Sequence, residues 1–275
     1  LASRPPFVGM PLRKQALQKQ RQGWRIEARA YILLLKRRRT GERTFPFSAE
    51  RGRNVDAAQA EERRRRTVEA ALKEIEGIDL AEQARLGGFA CRVGGDGACI
   101  LEIPSFGGRI EISLLRGEMV MPPHMDSLTM RVLALRYVKL SCGVPESGEW
   151  IAYRDLPGGR FYAATLVPTV EQPLARLFGG RPGELARIAR GLGGVKAEYG
   201  DESFVFYPFP RVPLLLVLHW GDDEFPPECR VLFDRCCSSY LNTDDLKILA
   251  TQLAAYLMRG AGEEAETENL LWMVE

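Results

Sequence analysis

Histidine is scarce: His124 and His219 are the two in 275 residues, and they stand far apart. That excludes the common zinc site built from three histidines. The six cysteines are Cys91, Cys99, Cys142, Cys229, Cys236 and Cys237. No pair has the Cys-x-x-Cys spacing by which two thiolates grip one metal. Gly-x-Gly-x-x-Gly and Walker loops are both missing, so the two common glycine-rich phosphate cradles are not available. Without a Gly-x-Ser-x-Gly elbow, serine catalysis has no support. The most apolar windows, Tyr31–Leu35 and Val212–Trp220, fall far short of the roughly 20 residues a helix needs to cross a bilayer. Lys36-Arg37-Arg38-Arg39 follows the first window where a secretory leader would carry small residues. The expected location is therefore the cytoplasm. There the cysteines are expected as reduced thiols, several packed as small hydrophobes. Cys91 and Cys99 flank a glycine-rich turn and can meet across a hairpin. The adjacent Cys236 and Cys237 would make a strained disulfide.

What is present is ordinary for a soluble globular chain: 45% hydrophobic and 27% charged residues. The overall charge of +2 hides an asymmetry. Residues 1–66 carry 18 Lys and Arg against 6 Asp and Glu, and the remainder carries 20 against 30. Residues 1–56, with Pro5-Pro6, Pro11, Pro46 and many arginines, read as a basic, flexible arm. Such an arm can bind phosphates of nucleic acid, but only Trp24 offers base stacking, so that partner is weakly suggested. The chain starts at Leu1, and whether 1–56 belongs to the native protein stays open. Residues 57–260 read as a single domain and 261–275 as an acidic tail.

Within the domain the patterns are local and short. Asn54 or Asp56 can cap a helix to about Ile75, with Val68, Ala71, Leu72 and Ile75 on one stripe. A helix over Leu80–Leu86 stops at Gly87-Gly88. Phe89–Val93 and Ala98–Ile103 form a hairpin, as do Arg109–Leu115 and Glu118–Met121. Asp126 can cap a helix over Ser127–Ser141. Helices are expected at Val170–Phe178 and Pro182–Leu192. Val195–Tyr199 and Ser203–Tyr207 pair through Gly200-Asp201. Thr243 can cap a final amphipathic helix, Asp244 to Met258. Strands come as hairpins with helices interspersed, which predicts an α+β fold with a mainly antiparallel sheet.

The blocks Glu149–Gly159, Phe178–Gly180, Leu192–Gly194, Gly200–Phe204, Pro213–Asp234 and Tyr240–Leu246 occur in this order over Asp126–Arg259. That pattern resembles the bacterial and archaeal family of domain of unknown function 3786. The resemblance implies no reaction. It implies a module linked to anaerobic redox or cofactor metabolism, since members occur mainly in anaerobes and some are joined to a cysteine-rich iron–sulfur domain. This chain has no closely spaced cysteine run, so a cluster of its own is not expected, and its cofactor stays unknown.

The richest stretch is residues 212–234. An apolar run, Val212–Leu218, ends in His219-Trp220, passes through Gly221-Asp222-Asp223-Glu224 and closes on Asp234. Carboxylates in one turn can hold a hard cation or serve as an acid/base pair, and they are also ordinary turn formers. His219 can act as base or ligand, or sit in the core with its nitrogens satisfied. His124, in Met-Pro-Pro-His-Met, suggests either a soft His/Met site or a plain loop residue. Arg154-Asp155, before Pro157-Gly158-Gly159-Arg160, can hold a carboxylate or phosphate, or form a surface ion pair. The candidate ligand site is Trp150, Arg154, Asp155, His219, Asp222, Glu224 and Asp234, gathered where strands 212–220 and 229–234 meet the 150–160 turn. A small anionic ligand or a redox-protein partner is the expected occupant. The alternatives are a metal-assisted hydrolase or transferase using the acidic turn, and an interaction protein for a redox or methyl-transfer partner.

Overall fold

A computed structural model describes residues 62, 65–94 and 99–263. They all fall in one compact unit, 57–275; the other unit, 1–56, lies outside the described residues. So do the expected helix start at Asn54 or Asp56, the tip of the first hairpin, and the tail after 263.

The chain is α+β with two antiparallel sheets. Residues 65–73 are helical. Helix α1 (Leu80–Gly87) starts at Asp79, whose carboxylate accepts from Glu82 N, and stops at Gly88 in the left-handed region, φ 68°. The first sheet is a meander of β1 (Ala90–Val93), β2 (Cys99–Ser105), β3 (Gly108–Ser113) and β4 (Glu118–Val120). Cys91 and Cys99 are joined by a disulfide across β1 and β2, so the expectation of thiols throughout is corrected for this pair. Strands β2 and β3 turn through Phe106 (φ 44°) and Gly107 (φ 73°), the pattern of a type I′ hairpin. Here glycine is required. A Cβ on Gly107 would lie 2.6 Å from Gly193 N, so this turn and the 192–194 corner touch backbone to backbone.

Helix α2 (Leu128–Leu140) is capped by Ser127, whose hydroxyl accepts from Met130 N at 3.2 Å. Asp126, the expected cap, instead forms a two-pronged ion pair with Arg131, at 2.7 and 2.9 Å. That geometry suits the planar guanidinium and leaves the shorter serine to cap. Buried Tyr137 of α2 donates to Gly87 O at 2.6 Å, accepts from Arg211 N at 3.0 Å and stacks on Phe209 at 4.7 Å. It thereby ties α1 and α2 to the second sheet.

That second sheet has the order β5-β9-β8-β7-β6, with β5 (Trp150–Ala152), β6 (Val195–Lys196), β7 (Glu202–Phe209), β8 (Val212–His219) and β9 (Glu228–Asp234). Strand β8 is buried from Val212 to Leu218, as a central strand covered on both faces should be. Between β5 and β6 lie α3 (Ala163–Leu166), a π-helical turn (Val167–Glu171), α4 (Gln172–Phe178) and α5 (Glu184–Gly191). The helix expected at Val170 thus begins earlier and carries a π turn. Pro168 and Pro173 each withdraw an N–H from the helical ladder, which favours such a local rearrangement. Glu171, at the end of that turn, accepts from Val231 N at 3.1 Å, just beyond the stretch of β9 that β5 covers. Burial raises its pKa, and the bond from Val231 pulls the other way.

A short helix α6 (Cys237–Tyr240) leads to α7 (Thr243–Gly260). Asn242 occupies the cap position of α7, and the Thr243 hydroxyl donates to Pro157 O at 2.7 Å. Thr243 therefore ties the helix to the 150–160 turn rather than capping it. Nor is α7 amphipathic as expected. Every residue from Leu249 to Met258 is buried, because this helix runs through the core.

Candidate functional site

The seven candidate residues fall at the two ends of β9. Asp234 closes one end, opposite Trp150. His219 pairs with Glu228 at the other. Six residue-to-residue steps of strand separate Glu228 from Asp234, about 20 Å at the usual rise. Trp150, Arg154, Asp155 and Asp234 share one end; His219, Asp222 and Glu224 share the other.

At the first end Asp234 is 1% exposed and saturated. Its Oδ1 accepts from Ser147 N (3.1 Å), Ser147 Oγ (2.8 Å) and Cys236 N (2.8 Å), and Oδ2 accepts from Gly148 N (2.7 Å). Burial would raise its pKa, but these donors outweigh burial and hold it below the usual aspartate value. Trp150 is half-buried. Arg154 and Asp155 are exposed, with Nε and Oδ2 3.8 Å apart, a surface pair. Glycine is obligatory at 159: a Cβ there would stand 1.9 Å from Tyr153 O. Tyr153 in turn donates to Thr243 O at 3.3 Å. This end is therefore a knot joining Glu149–Gly159 to Tyr240–Leu246, in which the chain takes up the Asp234 carboxylate while Arg154 and Asp155 stay in water.

The second end is built differently. Strands β6 to β9 form a meander, so the β6–β7 and β8–β9 turns lie side by side. Asp201 joins them: its N donates to Leu218 O at 3.0 Å, and its Oδ2 accepts from Trp220 N at 2.8 Å. His219 is exposed, correcting the core reading, and its Nδ1 lies 3.9 Å from Asp201 Oδ2. Asp222 organises the hairpin loop. Its Oδ1 accepts from Phe225 N (2.7 Å) and Glu224 N (2.9 Å), and its own N donates to Phe225 O (2.9 Å). Those two backbone donors lower its pKa. The loop is also docked: Gly221 N donates to Gly179 O at 3.2 Å, and a Cβ on Gly179 would meet Pro227 Cβ at 2.0 Å. Behind it Glu202 accepts from Gly183 N (2.7 Å) and Ala186 N (3.2 Å) at the start of α5.

What this scaffold presents to solvent is aromatic and acidic. Phe225 is 67% exposed, Tyr199 50% and Trp220 39%, and Asp222, Asp223 and Glu224 are exposed beside them. Asp201, Tyr199, Trp220 and Phe225 lie outside the expected site residues. Their signal was the meander itself, which brings every second turn to the same end. Among the described residues no group of three His, Cys, Asp or Glu side chains could hold a metal ion. His124 is an exposed loop residue with its ring edge-on to Tyr256 at 5.8 Å; burial and nearby Arg259 lower its pKa.

Among the described residues no helix is long and apolar enough to cross a membrane. No curated protein and no solved structure matches the chain. The family described as Domain of unknown function (DUF3786) matches residues 79–256. The chain belongs to that family.

Proposed function

We propose, starting from membership of this family, that the protein is a partner-binding module whose contact surface is the β6–β7 and β8–β9 end of the second sheet. The observation that carries the reading is the exposure of Tyr199, Trp220 and Phe225 on two adjoining, internally hydrogen-bonded turns. Large aromatics exposed on hydrogen-bonded turns are the residue type that anchors protein contacts. The neighbouring carboxylates give the partner's chemistry: a segment carrying Lys or Arg beside apolar residues. Its cations would meet Asp222, Asp223 and Glu224, or stack on the aromatic faces. His219, Asp222 and Glu224 belong to this site; Trp150, Arg154, Asp155 and Asp234 form the separate knot.

The test is a fluorescence titration of the full chain with a short peptide of alternating arginine and leucine, with an alternating glutamate–leucine peptide as control. Saturable binding of the first alone, weakened by salt, is expected. Phe225→Ser with Trp220→Ala should lower its affinity at least tenfold, and Asp223→Asn with Glu224→Gln should reduce the salt dependence. Equal binding of both peptides, or unchanged binding in the tip variants, rejects the reading.

The proposed setting, reducing cytoplasm and anaerobic redox metabolism, draws on the family resemblance and on four free cysteines, three of them buried. The Cys91–Cys99 disulfide argues the other way. Alkylating thiols in rapidly quenched cells decides: six reactive cysteines after denaturation support the cytoplasm, and four place the protein in an oxidising compartment.

A further inference from the structure

A concave feature is lined by none of the candidate residues at either end of β9. The helical stretch 65–73 and α2 enclose an open groove of about 380 Å³, within the size range of small-molecule sites. Its floor is apolar, from Ala71, Val132 and Leu135; its walls bring in Arg66 and one carboxylate, Glu74, from one side and Arg136 and Lys139 from the other. The pairing of these cations differs in kind. Arg66 pairs with Glu62 at 2.7 Å and Lys139 with Glu74 at 2.9 Å, both on the surface, where such pairs are worth little and exchange easily. Arg136 is held from behind. Its Nη1 bonds Asp245 Oδ1 in the first turn of α7, and Asp245 is 2% exposed. Among the described residues Asp245 is the one acceptor of the Arg136 guanidinium. The Arg136 side chain is still 47% exposed, so its remaining donors are open to a ligand while a buried carboxylate fixes the guanidinium from behind.

We propose that this groove binds an amphiphilic organic anion, a carboxylate or phosphate monoester on an apolar body. The anionic head lies against Arg136, with Arg66 and Lys139 flanking it, and the apolar body lies on Ala71, Val132 and Leu135. This site stands independently of the sheet-end surface. Arg66 and Ala71 precede the family match at 79–256, so the groove combines family and non-family parts of the chain.

Isothermal titration of the full chain uses three probes: decyl phosphate below its micelle concentration, inorganic phosphate and decyltrimethylammonium. Decyl phosphate is expected to bind saturably, at least tenfold more tightly than either of the others. The basic residues of 1–66 also attract anions, so variants decide where it binds. Ala71→Phe fills the floor and Lys139→Glu reverses a flanking charge. Lys139 is exposed and Ala71 is half-buried against the core, so Lys139→Glu should hold the melting temperature without ligand and Ala71→Phe is read in the folded protein, while decyl phosphate affinity falls at least tenfold in both. Arg136→Gln is informative only beside them, since it leaves Asp245 buried without its cation. Equal affinity for inorganic phosphate, equal affinity for the ammonium probe, or full affinity in folded Ala71→Phe and Lys139→Glu each overturn the proposal.

Discussion

The two ends of β9 carry aspartates that look alike in the sequence and do opposite work. Asp234 is enclosed and accepts four hydrogen bonds from the chain around it. Asp222 stands in water, and its two bonds shape only the loop that holds it. A buried carboxylate that already accepts four bonds from backbone and hydroxyl donors has little left for a ligand. One that merely folds its own loop leaves the neighbouring side chains free. Burial and saturation, rather than the presence of acids near a strand end, separate the knot from the contact surface.

The largest effect should follow from removing Asp234. Asp234→Ala leaves Ser147 N, Gly148 N and Cys236 N without their acceptor, and the cost is about 3 kcal/mol or more. Denaturant melts check this; a loss under about 1 kcal/mol would show that water replaces the carboxylate readily. The pH dependence has a definite sign. The folded pKa lies below the unfolded one, so the stabilisation is complete above about pH 4 and is lost as pH falls through the depressed value. Asp234→Asn should flatten that acid limb, and unchanged acid sensitivity would assign the limb to other carboxylates.

A middle-sized effect separates docking of the loop from its internal shape. Gly179→Ala would drive a methyl into Pro227 Cβ and, at 2.6 Å, toward Ala175 O. Neither the proline ring nor the helix backbone yields easily, so about 1–3 kcal/mol is expected. The same variant should weaken binding of the arginine–leucine peptide, because Gly221 leans on Gly179 O. Lost stability with unchanged peptide affinity would mean that the loop presents its aromatics without that support.

Much of this was readable in the sequence wherever the determinants are local. Gly200-Asp201 and the glycine-bounded apolar runs gave the hairpins, and Gly87-Gly88 gave the end of α1. Caps changed where a side chain found another partner: Thr243 turned to Pro157 O, far along the chain, and Asp126 turned to nearby Arg131. The candidate site mixed two ends because Glu228 and Asp234 are near in sequence, whereas an extended strand turns six residues into its full length. Arg136 and Asp245 were invisible as a pair, since 109 positions separate them and neither lies in a recognisable motif. His219 was readable only as far as its strand. Its exposure follows from β8 outrunning its cover by one residue.

The smallest expected effect bears most directly on what the acidic turn is for. Asp222 contributes both a charge and a pair of backbone acceptor bonds, and two substitutions separate them. Asp222→Asn keeps an oxygen for Phe225 N and Glu224 N and removes the charge. Asp222→Ala removes both. Because the group is fully in water, the melting temperature should fall less in either variant than in Asp234→Ala, with Asp222→Ala the lower of the two. If the turn serves to hold Phe225 in place, peptide affinity should drop in Asp222→Ala and persist in Asp222→Asn. If charge alone attracts the partner, both variants should lose affinity alike, and the loss should vanish at high salt. An Asp222→Ala protein that binds the peptide fully would detach the turn geometry from recognition and leave the exposed aromatics as its whole basis.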